Sequence, residues 1–129
     1  MTREAETKTA VVVMSDPNGG DEALGRLFNA LAAAYDFDQA GDEVRVQFHG
    51  AGTRWPELLN APDHPAYDVY QAVRHTVAGA SCGCSDIFGS RAGVEASGID
   101  LIKDNPLPGT SGVAGLRTLV DNGYSILSF

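Results

Sequence analysis

The chain has 129 residues, 43% of them apolar, and a net charge of −8 at pH 7. A domain of this size buries roughly two-thirds of its unfolded surface, so it can hold a core without staples. The charge argues against nucleic-acid and anionic-membrane partners, because phosphate binding needs clustered Lys and Arg and the seven Arg residues here are scattered.

Asp outnumbers Glu, and Lys occurs only at Lys8 and Lys103. That balance fits an ordinary acidic surface or a salt-rich, halophilic cytoplasm in which screening blunts self-repulsion. The opening "MTREAETKT" is polar and lacks the apolar core of a signal peptide. No run approaches the ~20 apolar residues of a membrane span. Residues 1–8 are expected to form a flexible tail, residues 9–129 a single domain, and the location is expected to be cytoplasmic.

"AVVVMS", residues 10–15, is a continuous apolar run that reads as a strand buried on both faces of a parallel sheet. "DPNGG" makes a turn. Asp21 is placed to cap a helix with Leu24, Leu27, Phe28, Leu31 and Tyr35 on one stripe. "EVRVQFHG", residues 43–50, alternates Val44, Val46 and Phe48 with polar residues and reads as a second, less buried strand. "AGTRWPELLN" suggests a loop and a short helix capped by Thr53, with Trp55-Pro56 exposed. Pro65 opens another helix, with Ala66, Tyr70, Val73 and Val77 aligned.

"TVAGAS", residues 76–81, is a weak strand by propensity, but its place between helices makes it the third, with side chains small enough for close neighbours. A helix with Ile87, Phe88, Ala92 and Val94 or Glu95 then runs to about Ser97 and stops at Gly98. "IDLI" is the fourth strand and "KDNPLPGTSG" a loop. Ser111 or Thr110 caps a last helix with Val113, Leu116, Leu119 and Val120, "DNG" ends it, and "YSILSF" is the fifth strand. The order βαβαβαβαβ implies an α/β domain with a mainly parallel sheet and right-handed crossovers.

Ligands in such folds sit beyond the carboxyl ends of strands. Two loops lie at that edge. "SDPNGGD" offers Asp16, Asn18, Gly19 and Gly20 as ligand-binding candidates, and "SCGCSD" offers Gly83 and Ser85. Gly19, Gly20 and Gly25 do not have the dinucleotide spacing, no phosphate-loop Lys follows, and turn chemistry explains Asn18-Gly19-Gly20 equally well. Cys82 and Cys84 are spaced more tightly than usual zinc ligands, and His49, His64 and His75 are far apart. No metal and no cofactor is expected. Asp16, Asp21 and Asp86 could gather at the edge, although capping accounts for Asp21 and Asp86 as well. Ser81 and Ser85 have no evident base, and no Gly-x-Ser-x-Gly elbow is present.

Cys82 and Cys84 are the only cysteines. Extended residues two apart lie near or beyond the ~7 Å limit for a disulfide, so a permanent staple is disfavoured. Free cysteines are commonly buried small hydrophobes. Against that, a thiol between a strand end and a helix start meets unpaired N–H groups and the positive end of the dipole, which favour thiolate. Cys84 is expected nearer that first turn than Cys82, and the negative charge of Asp86 opposes the effect.

"CSDIFG" from Cys84, the following "SRAGVEASGI", the strand "DLI" and the closing "LVDNGYSILSF" resemble the DsrE/DsrF-like proteins. The opening "VVVMSDPNGGDEALGRLFNALAA" is similar to that family's first strand, loop and helix. The resemblance covers nearly the whole chain from Thr9. It implies a three-layer α/β/α Rossmann-like domain with a five-stranded parallel sheet, and homo-oligomers, usually trimers or hexamers. It also implies a persulfide carried on the Cys that Cys84 matches, passed to a thiol or sulfur-relay partner. The chain departs from the family in having Cys82 just before that position.

The leading expectation is a small sulfur carrier or sulfurtransferase-like protein with Cys84 as the sulfur-bearing thiol and Cys82 resolving or shielding it. The alternatives are a non-catalytic oligomeric module with inert cysteines, and a small-ligand binder using the "SDPNGGD" loop. "NPLPG" and Trp55-Pro56 are the expected contact regions of an oligomer.

Overall fold

The computed structural model describes residues 7–129. The expected tail is cut short, because the first strand already begins at Lys8; residues 1–6 of that tail lie outside the described residues. Five strands form one sheet: β1 (Lys8–Val13), β2 (Glu43–Phe48), β3 (Val77–Ser81), β4 (Leu101–Ile102) and β5 (Ser125–Ser128). Their order is β4-β3-β2-β1-β5 and every pairing is parallel. The fold is a three-layer, Rossmann-like α/β domain.

β1 sits between β2 and β5, which is why its sequence is apolar on both faces. Val11 and Val13 join the main core, while Ala10 and Val12 are buried on the opposite face. The alternation of β2 sends Val44, Val46 and Phe48 to that core and Arg45 and Gln47 to the other face. Helices α1 (Gly20–Gln39), α2 (Trp55–Leu59), α3 (Tyr67–Val73) and α5 (Arg91–Ala96) cover the core face. The short α6 (Leu116–Asp121) covers the opposite face through Leu119. Each fully buried Val, Leu or Phe on this scaffold contributes about 1.5–3 kcal/mol.

Several local expectations are corrected. Asp21 does not cap α1; it lies in the first turn, and Gly19 is the N-cap. The buried stripe of α1 is Ala23, Leu27, Ala30, Leu31 and Ala34, leaving Phe28 and Tyr35 half exposed. The alanines win because they let the helix lie close to the sheet. Thr53 caps nothing: it lies in a 3-10 turn (Gly50–Arg54) and donates to Gly50 O. Trp55-Pro56 is not an exposed loop, since both side chains are buried in the first turn of α2 and the Trp55 indole N–H donates to Ser15 O at 2.7 Å.

Val77 belongs to β3, not to the α3 stripe. The helix expected from the cysteines to Ser97 is broken into α4 (Cys82–Ile87) and α5, with Gly89 in a left-handed conformation between them. Neither Thr110 nor Ser111 caps the last helix. α6 begins at Leu116, and Val113 pairs instead with Asn105 in an antiparallel bridge. Among the described residues no helix is long and apolar enough to cross a membrane.

Candidate functional site

Cys82 is the first residue of α4 and Ser81, the last of β3, is its N-cap. Both cysteines therefore lie in the first turn, and Cys84 is not nearer to it than Cys82. The helix turns the two thiols differently. Cys82 is 1% exposed, whereas Cys84 is partly exposed. Both are free.

The loop from Lys103 to Gly115 straps this turn down. Gly83 N–H donates to Gly112 O at 2.7 Å, and Ala114 N–H donates to the Ser81 hydroxyl at 3.0 Å. Gly83 is required by the approach: a Cβ there would stand 2.8 Å from Val113 Cγ1 and 3.0 Å from Gly112 O. The Asn105–Val113 bridge closes the strap on itself.

Ser111, on the strap, links Cys82 to Asp86. Its hydroxyl donates to Asp86 Oδ2 at 2.6 Å and stands 3.3 Å from Cys82 Sγ. Asp86 also accepts from Arg91 Nη1 at 3.0 Å. The Ser111 and Arg91 hydrogen bonds hold the Asp86 carboxyl below its ordinary value of 3.8. Asp86 is thus not a helix cap but an ionised acid committed to Ser111 and Arg91. Among the described residues no hydrogen bond engages the Cys84 thiol.

The first loop is reached through Arg54. Asp16 accepts from the Asn18 N–H at 3.0 Å and from Arg54 Nη1 at 3.2 Å, and both hold its carboxyl below the ordinary 3.8, the backbone bond most strongly. The same guanidinium donates from Nε to Phe88 O at 3.1 Å and lies 5.5 Å from the centre of the Phe88 ring. Arg54 thereby ties the loop after β1 to the end of α4, although β2 separates β1 from β3 in the sheet. Asn18, Arg54, Gly89 and Ser90 line a shallow crevice of about 280 Å³; Cys84 does not line it.

The expected site residues therefore divide. Asp16 and Asn18 flank the crevice, with Gly19 and Gly20 exposed at the start of α1. Gly83 is buried as packing for the strap. Ser85 is not available to a ligand, since it is fully buried and donates to Ser81 O at 2.8 Å. Sequence reasoning missed Arg54 and the role of Ser111. Arg54 carried a usable signal, as a lone cation in the loop after β2, at the carboxyl edge of the sheet. Ser111 carried none, because its partners are 25 and 29 residues away.

His49, at the end of β2, is buried and its Nε2 lies 2.9 Å from Gln47 Oε1. Burial pushes the imidazole below its ordinary 6.5, against an opposing pull from Asp104. Among the described residues no group of three or more His, Cys, Asp or Glu is placed to hold a metal ion. The fold and edge together define a Rossmann-like α/β domain with one buried and one partly exposed cysteine in the turn that follows its third strand. Comparisons with protein-family models, curated proteins and solved structures found no match.

Proposed function

We propose that this protein handles sulfane sulfur, carrying it as a persulfide on Cys84. The observation that carries the reading is the asymmetry of the two thiols. Cys84 is partly exposed in the turn that follows β3, while Cys82 is 1% exposed and engaged by Ser111. The resemblance of "CSDIFG" to the DsrE/DsrF-like pattern points to the same residue. Cys82 then acts as packing beneath the carrier, not as a resolving thiol.

The chemistry is an exchange with no net oxidation. The Cys84 thiolate attacks the terminal sulfane sulfur of a polysulfide. A new S–S bond forms, the old one breaks, and a polysulfide anion one sulfur shorter leaves with the electron pair. An acceptor thiolate next attacks the outer sulfur and Cys84 departs as thiolate. The rate depends on access and on thiolate fraction. Transfer from donor to acceptor protein, and assembly as a homo-oligomeric trimer or hexamer, belong to this reading. The exposed "NPLPG" segment, residues 105–109, is the remaining candidate contact region.

Cyanolysis after polysulfide loading tests the proposal. Cyanide releases sulfane sulfur as thiocyanate, and the expected yield is one equivalent per chain, lost in Cys84→Ser and kept in Cys82→Ser. No release from the unmodified protein would refute it. A non-catalytic module with inert cysteines is the second reading, favoured by the burial of Cys82, and it predicts no release from any variant.

A further inference from the structure

A second cavity, of about 330 Å³, lies on the face of the sheet opposite the main core, between β1, β2 and α6. It is at the small end of ligand pockets. Its floor is polar where a sheet face under a helix is ordinarily apolar. Arg45 and Gln47 line it from β2, Lys8 from β1, and Tyr124 from the residue before β5.

Gln47 is 3% exposed. Its Oε1 is held by His49 Nε2 at 2.9 Å. With neutral His49 donating, the Gln47 carbonyl accepts and its NH2 is left as a donor. That NH2 makes no hydrogen bond among the described residues and, unlike the Tyr70 hydroxyl, is not sealed from solvent, so it is open to a partner in the cavity that Gln47 lines. Gly79 stands opposite Gln47 in the register of β3, where a Cβ would run into Asp100 O and come within 3.1 Å of Ile102 Cγ1.

Arg45 forms no ion pair among the described residues; its guanidinium lies 6.0 Å from the centre of the Tyr124 ring. The guanidinium also acts on the Tyr124 hydroxyl, and Asp104 lines the cavity with its charge felt by Arg45, but both nearby acids have donors of their own. Glu43 accepts from the Tyr124 hydroxyl and lies 3.9 Å from Lys8. Asp104 accepts from the Gly115 N–H at 2.7 Å and from Thr118. In a chain of net charge −8, a guanidinium without an ion pair and an amide NH2 without a hydrogen bond line one cavity, and one ligand chemistry matches both.

We propose that this cavity binds a compact oxyanion, a carboxylate or phosphate, on the fork of Arg45 with the Gln47 amide beneath it. The planar fork suits two-point binding of either group. The site is independent of Cys84.

Titration of the full chain with succinate, and separately with inorganic phosphate, followed by 1H–15N NMR, tests it. The expected result is saturable movement of the Gln47 side-chain NH2 and the Arg45 Nε–H signals, with Kd at or below about 1 mM for one probe or both. Arg45→Gln should weaken binding at least about tenfold. Arg45→Lys, which keeps the charge and loses the fork, serves as a second variant should the first fail to fold, and should also weaken it. Arg117→Gln, at a site 92% exposed and paired with Asp121, should change nothing, nor should Cys84→Ser. Succinate binding alone identifies an organic acid and phosphate binding alone a phosphate-bearing ligand. No saturable shift with either probe, or unchanged binding in both Arg45 variants, would overturn the proposal.

Discussion

Ser111 donates its hydroxyl hydrogen to Asp86 Oδ2 across 2.6 Å. A serine hydroxyl has a single hydrogen, so Cys82, whose Sγ is 3.3 Å from the same oxygen, is the donor in the second contact. Cys82 donates to Ser111 and Ser111 to Asp86, while Arg91 donates to the same carboxylate; this ties the buried thiol to the strap and leaves the neighbouring one outside the network. The identity of residue 111 thus bears on which cysteine meets solvent.

The first prediction concerns labelling. Iodoacetamide should modify Cys84 in the native protein faster than Cys82, on the order of tenfold or more, because Cys82 reacts only when the strap opens locally. Ser111→Ala should accelerate Cys82 and leave Cys84 unchanged. Peptide-resolved mass spectrometry reads both rates, and equal rates in the unmodified protein would contradict the account.

Gly83→Ala should destabilise the fold by about 1–3 kcal/mol, as overpacking does. The added methyl meets Val113 Cγ1 at 2.8 Å and Gly112 O at 3.0 Å, so the strap must move. Urea unfolding gives the energy, and faster Cys82 labelling in the same variant gives the location.

Tyr70 is fully buried in the main core, and its hydroxyl has no hydrogen-bond partner among the described residues. Tyr70→Phe should therefore be neutral or stabilising by up to about 1 kcal/mol, since it removes a desolvated hydroxyl without breaking a bond. Thermal melts decide it, and a clear loss of stability would reveal a partner for that oxygen.

His49 sets a pH dependence. Burial holds its folded pKa below the ordinary 6.5, so between the two values the unfolded chain binds the extra proton. The contribution is fully present above about pH 6.5 and is lost as pH falls through the folded value. Unfolding followed from pH 8 to pH 5 should show stability declining below about 6.5. His49→Gln should flatten that slope. Asp16, Asp86 and Asp104 are depressed below 3.8, and their contribution is lost only at more acid pH.

The fold was legible because alternation and turn residues are local signals. "AVVVMS" and "EVRVQF" each carry their own face pattern, and the βα alternation leaves few topologies. The position of Cys84 after the third strand followed directly. What was hidden is non-local. The fourth strand was legible in "IDLI", but not that only Leu101–Ile102 of it pair with β3. The 103–115 segment reads as a polar loop, and only its bonds to Ser81, Gly83 and Asp86 make it a strap. Trp55 looked exposed beside Pro56 because nothing in "TRWPE" announces the Ser15 carbonyl, 40 residues earlier in the chain, that receives its N–H.

Intact-protein and peptide mass spectrometry after a brief polysulfide challenge tests the central claim most directly. The expected result is an adduct of one sulfur, about 32 Da, on the peptide at Cys84, removed by a small thiol, absent in Cys84→Ser and undiminished in Cys82→Ser. An adduct that survives Cys84→Ser on Cys82, or no adduct on either residue, would contradict it.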